Sequence, residues 1–142
     1  MPANCRYKVS DAAKAAGVSV KTVSRDIDRG VIEIPGPDPG KGYRHLLAPP
    51  TVCHLAIGYA VVKLSVTPTQ AMEFAKTFFE PQRNRKAGEL FASGKTLMLI
   101  SDGACSIVNQ QIDEDISTLL QDATIVVDLG KIISNVNARL IK

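Results

Sequence analysis

Residues 9–32 read VSDAAKAAGVSVKTVSRDIDRGVI, too regularly apolar for a loop and too early interrupted for one helix. Ser10 suits an N-cap and Asp11 the turn after it, since a hydroxyl accepts from exposed N–H groups and a carboxylate is favoured at the positive end of the helix dipole. AAKAA favours helix and offers small residues for close packing, so a first helix is expected over about residues 11–16. Gly17 can take the positive φ that ends a helix, Val18 supplies an apolar plug, and Ser19 caps a second helix. In that helix Val20, Val23 and Ile27 fall on the inner side, and Arg29 and Gly30 mark the end. Ser19, Lys21, Thr22, Ser24, Arg25 and Asp28 then face outward.

The following stretch, VIEIPGPDPGKGYRHL, joins β-branched residues to a Pro/Gly-rich turn and a basic, aromatic segment. It predicts a two-stranded wing with strands near residues 31–34 and 43–46 and a tip at GPDPGKG, from which Lys41 and Arg44 reach phosphates.

The order helix, turn, helix, wing resembles the DNA-binding domain of MerR-type winged-helix regulators and their excisionase relatives. The residues that carry the likeness are YKVSDAAKAAGVSVKTV and the GYR at 42–44, with Ala13, Gly17 and Val23 at the spacing of the helix-turn-helix signature. The resemblance covers about residues 6–80 and implies DNA contact by Lys21, Arg25 and Arg44. It also departs from the family: Ser24, Arg25 and Asp26 stand where an Arg and two aromatics are usual, so that segment's backbone contacts do not carry over. Within this frame the N-terminal half of the second helix enters the major groove. Arg25 is the candidate for a guanine, because a guanidinium bonds O6 and N7 together, while Ser19 and Thr22 suit phosphates.

Pro49 and Pro50 can start a third helix, in which TVCHLAIGYAVVKL places Val52, Leu55, Tyr59 and Val62 along one side. Thr67, with Gln70 three residues on, forms a capping box for a fourth helix over about residues 68–79, and Ala71, Phe74, Ala75, Phe78 and Phe79 pack back on the third. Residues 80–95 shift in composition and read as a linker or short connecting helix, with Arg83, Arg85 and Lys86 either solvated or phosphate-contacting. Beyond them, TLMLI, the turn SDGA and CSIVN predict a hairpin. DEDISTLL reads as a short helix, ATIVV as a strand, and Asp128 as the cap of a final helix with Leu129, Ile132, Ile133, Val136 and Leu140 at helical spacing.

The fold class expected is α+β: an N-terminal winged helix-turn-helix with two further helices, residues 1–80, then a connector, 81–94, and a small three-stranded α/β unit, 95–142. The unit lacks the long helix by which MerR-type regulators dimerise, so their dimer geometry and effector site are not carried over.

Charge supports a polyanion partner for the front half. Residues 1–50 carry eight Lys or Arg against five acids, residues 51–90 five against three, and residues 91–142 four against six, for a net +3. No apolar run approaches the roughly 20 residues that span a bilayer. MPANCRYKVSD has no apolar core like a secretory signal, which predicts a cytoplasmic, nucleoid-associated protein whose Cys5, Cys53 and Cys105 are reduced. Cys53 and Cys105 read as small buried hydrophobes.

His45 and His54 lack a neighbouring acid or nucleophile pattern, and no phosphate-loop or dinucleotide fingerprint occurs, so neither catalysis, a cofactor nor a metal is expected. The function expected is sequence-specific binding of double-stranded DNA by a transcriptional regulator, as a homodimer joined through residues 95–142. Two other readings differ in purpose. One is an excisionase-like protein that bends DNA for a recombinase; the other is an antitoxin or anti-activator whose rear unit grips a protein partner.

Overall fold

A computed structural model describes residues 5–35 and 46–140. The chain is mixed helix and sheet, with helices preceding a small antiparallel sheet and a last helix closing the molecule. In chain order the elements are β1 (Tyr7–Lys8), α1 (Val9–Ala16), α2 (Val20–Asp28), β2 (Leu46–Leu47), α3 (Pro49–Val62), α4 (Pro68–Lys76), a 3-10 turn (Thr77–Phe79), β3 (Lys95–Ser101), β4 (Ala104–Gln110), a 3-10 turn (Ile116–Leu119), β5 (Ile125–Asp128) and α5 (Leu129–Leu140).

Helix α3 is apolar on nearly every side and is buried along most of its length. A helix without a polar face must be surrounded. One side, with Val52, Leu55, Ala56 and Tyr59, meets the alanines of α1 together with Val23, Ile32, Leu47 and Val136. The other side, with Ile57 and Val61, meets Ala71, Phe74 and Ala75 of α4, Phe78 of the 3-10 turn after it, Met98 and Ile100 of β3, and Val127 of β5. Each large apolar side chain buried this way contributes roughly 1.5–3 kcal/mol. The helices α3 and α4 approach so closely at Gly58 that an added Cβ there would collide with the Met72 thioether.

The rear sheet has the order β4-β3-β5, antiparallel throughout. Its register pairs Met98 with Ile107 and with Val127, and these three face the helices, while Leu97 and Leu99 lie on the other face and are also buried. The hairpin turns at Asp102 and Gly103, both left-handed, as the SDGA sequence predicts. Asp128 caps α5 as expected: its Oδ1 accepts from the Lys131 N–H at 3.1 Å. Leu129 and Val136 are fully covered and Ile132, Ile133 and Leu140 pack beside them. Among the described residues, no helix is long and apolar enough to cross a membrane.

Several local expectations are corrected. Helix α1 begins at Val9, before the expected start, because Asp11 reaches back to accept from the Lys8 N–H at 3.2 Å and Lys8, not Ser10, takes the cap position. Residues 31–34 form no strand. The Val31 and Ile32 N–H groups instead bond the Asp26 carbonyl, at 2.9 and 3.2 Å, which folds Ile32 into the core. The partner of β2 is β1, with Tyr7 opposite Leu47 and Lys8 opposite Leu46. The expected tip GPDPGKG, with Lys41, and Arg44 and His45 of the expected second strand lie outside the described residues. Val20, expected inside, is 47% exposed. DEDISTLL makes only the short 3-10 turn, which Asp115 caps by accepting from the Ser117 N–H at 2.9 Å.

The connector is held by one buried cation. Arg85, expected as a solvated or phosphate-contacting charge, is 5% exposed. Its guanidinium donates to the carbonyls of Phe78 at 2.7 Å, Glu80 at 3.2 Å, Lys86 at 3.3 Å and Glu89 at 3.1 Å, and to Gln82 Oε1 at 2.8 Å. The same group lies over the Phe78 and Phe91 rings. A planar fork of donors suits this ring of oxygens and a lysine ammonium does not. Arg85→Lys, which keeps the charge, is expected to lower the unfolding free energy by about 1–3 kcal/mol in a urea titration; an unchanged midpoint would show that the network contributes nothing to stability.

Candidate nucleic-acid interface

Helix α2 presents its outer side because its inner side is pinned. Ser19 adopts an extended backbone, and its hydroxyl accepts from the Thr22 N–H at 3.1 Å and pairs with the Thr22 hydroxyl at 2.8 Å. Gly17, with φ 72°, reverses the chain between α1 and α2, and the Val18 N–H closes the turn on the Ala13 carbonyl at 3.0 Å. Val23 is completely covered.

These anchors leave Lys21, Ser24, Arg25 and Asp28 exposed, with Val20 beside them. Residues 21, 24, 25 and 28 lie three and four apart, so they share one stripe. Of the residues expected to contact DNA, Ser19, Lys21, Ser24 and Arg25 are thus exposed, and Thr22 is half-buried with its hydroxyl engaged by Ser19. Lys41 and Arg44 fall outside the described residues. The first turn of α2 carries no acid, unlike that of α1, so its positive dipole end is not offset by its own side chains.

Asp26 was missed by the sequence reading. It is 2% exposed and points inward, where the Tyr59 hydroxyl of α3 donates to Oδ2 at 2.6 Å. Its Oδ1 lies 3.5 Å from Arg25 Nε. Burial, and then the bond to Asp26, push the Tyr59 phenol well above its ordinary value. A signal for the pair existed in the sequence: Asp26 lies three residues from Val23 on the apolar stripe, and Tyr59 lies on the stripe of α3.

Basic side chains from distant elements also gather at the α1–α2 turn. Arg139 of α5 donates to the Ala15 carbonyl at 2.9 Å across 124 residues of sequence. A Cβ placed on Gly17 would stand 3.2 Å from Lys63 Nζ and 3.5 Å from Arg139 Nη1. Both cations suit the negative C-terminal end of α1.

Other polar groups have local explanations. His54 pairs with the Met72 carbonyl at 2.9 Å and meets the edge of Phe79. Burial raises the thiols of Cys53 and Cys105, which keeps both protonated and poorly nucleophilic. Among the described residues, no three His, Cys, Asp or Glu side chains converge as a metal site would require. No known family model matches the chain, and no curated protein is significantly similar to it.

The Tyr59 bond has a pH signature. A phenol whose ionisation is raised by folding contributes stability that is complete below its unfolded value, about 10, and is lost as pH climbs through the folded one. The stability difference between wild type and Tyr59→Phe is therefore expected to be largest near neutrality and to shrink above pH about 10 in chemical denaturation; a difference constant through that range would exclude the effect.

Proposed function

We propose that the chain is a sequence-specific DNA-binding transcriptional regulator of winged helix-turn-helix type, in which α2 enters the major groove. The observation that carries the reading is the stripe of Lys21, Ser24, Arg25 and Asp28, exposed together on a short helix whose other side is fixed to the core by Val23 and Asp26. A reading helix needs this combination, since base contacts demand exposed donors in a fixed orientation. The basic surplus of residues 1–90 supports it as well.

In this proposal Arg25 reads a guanine, Lys21 and Ser24 contact the groove and backbone, and Ser19 and Thr22 shape the helix start as well as approaching phosphates. Lys41 and Arg44, from the segment between α2 and β2, add phosphate contacts. Residues 1–80 read DNA in the cytoplasm, and residues 95–142 join two copies, because one short helix reads too few base pairs for useful specificity.

The test is enrichment of bound fragments from sheared genomic DNA at physiological salt. The wild type is expected to enrich a repeated motif and a Lys21→Ala, Arg25→Ala variant to lose it. The logarithmic dependence of affinity on salt is expected to flatten by about 0.9 for each phosphate contact removed. If neither protein enriches any sequence, α2 is not a DNA reader. Motifs confined to arrays at recombination sites, with strong bending, would assign the excisionase-like role.

A further inference from the structure

We propose that Asp26 is a positioning residue that gives Arg25 its base preference, an inference that rests on the reading of α2 as the helix in the groove. The carboxylate has two oxygens and divides them. Oδ2 takes the Tyr59 proton at 2.6 Å, in a seam where Asp26 and Tyr59 are each 2% exposed, so the acid is fastened to α3. Oδ1 faces Arg25 Nε at 3.5 Å, while the Arg25 side chain is half exposed. The inner oxygen fixes the acid, and the outer one stands at the far limit of hydrogen-bond distance from the arginine.

A guanidinium has donors on Nε and on two terminal nitrogens. With Nε directed to Asp26, it is the terminal pair that remains for a partner, and that pair matches the O6 and N7 acceptors of guanine. An unrestrained arginine would distribute among rotamers and meet phosphates of any sequence equally well. The acid also opposes phosphate approach through its charge. Both effects favour a base edge over the backbone. An apolar residue would fill the α2–α3 seam without the desolvation that a buried carboxylate costs, so packing alone does not account for an acid at this position.

The experiment measures wild type, Asp26→Asn, Arg25→Ala and the double variant on the selected motif, on the motif with its Arg25-dependent guanine replaced, and on unrelated DNA. Asparagine is isosteric: its carbonyl oxygen still accepts from Tyr59 and its amide then faces Arg25 as a second donor. Asp26→Asn is expected to reduce discrimination at that guanine about tenfold, the scale of one bidentate contact. Its affinity for unrelated DNA is expected to rise, because a negative charge has gone. In the Arg25→Ala background the same change is expected to leave discrimination unaltered.

A role confined to holding α2 in place gives a different pattern: affinity falls on all DNA, and the fall persists without Arg25. That pattern, or full discrimination by Asp26→Asn, overturns the proposal. If the wild type selects no motif, the DNA-reading assignment itself fails and this inference with it, which is distinguishable from a wild type that selects a motif the variant retains. A measurement on the unaltered protein guards against a variant that does not fold. The Arg25 Nε–H resonance, assigned by its loss in Arg25→Lys, is expected to exchange slowly with water, and rapid exchange would overturn the proposal.

Discussion

The burial of α3 on all sides is the constraint from which the other elements take their places. A helix with one apolar stripe can lie on a surface, but one with Val52, Leu55 and Tyr59 on one side and Ile57 and Val61 on the other needs cover from two directions. Helices α1 and α2 with the last turns of α5 supply the first cover, and α4 with the sheet supplies the second. The exposed stripe of α2 follows from this. Because Val23 and Asp26 are drawn toward α3, the side bearing Lys21, Ser24 and Arg25 is turned to solvent.

The same spine explains how a buried acid is tolerated. A carboxylate away from water needs charge-assisted hydrogen bonds, and Asp26 receives a short one from Tyr59. Arg85 solves the reverse problem with neutral oxygens and two aromatic rings. In both cases the compensating groups come from chain that has been folded around the charge, so each charge also fixes local geometry. Asp26 fixes the roll of α2, and Arg85 fixes the path from Phe78 to Phe91.

What was legible in the sequence was local or periodic. The turn at Gly17, the Ser19 cap, the Thr67 cap, the Asp102–Gly103 hairpin and the stripe of α5 each depend on residues within about one or two turns of one another. The illegible features depend on distant partners. Leu46–Leu47 pairs with Tyr7–Lys8 rather than with residues 31–34, and two-residue strands carry no alternation to read. Arg85 looked like a surface charge because the carbonyls around it converge only after residues 78–89 fold. Asp26 was assigned to neither side of α2, although its position three residues from Val23 placed it on the inward stripe.

The composition change near residues 80–95 separates two styles of sequence, and the packing crosses it. Val136 of α5 lies in the same apolar cluster as the alanines of α1, and Arg139 reaches the Ala15 carbonyl at the end of that helix. Strand β3 and Ile57 of α3 likewise share a cluster. The helix that opens the chain therefore rests on the helix that closes it. The carbonyl that Arg139 engages belongs to the last turn of α1, immediately before Gly17, where the chain reverses into α2. The orientation of the exposed stripe is thus set from two places: the Asp26–Tyr59 bond beneath α2, and the α5 contact behind the turn that starts it. Neither restraint lies within the stripe, so its side chains stay exposed to solvent while the helix bearing them is held from behind.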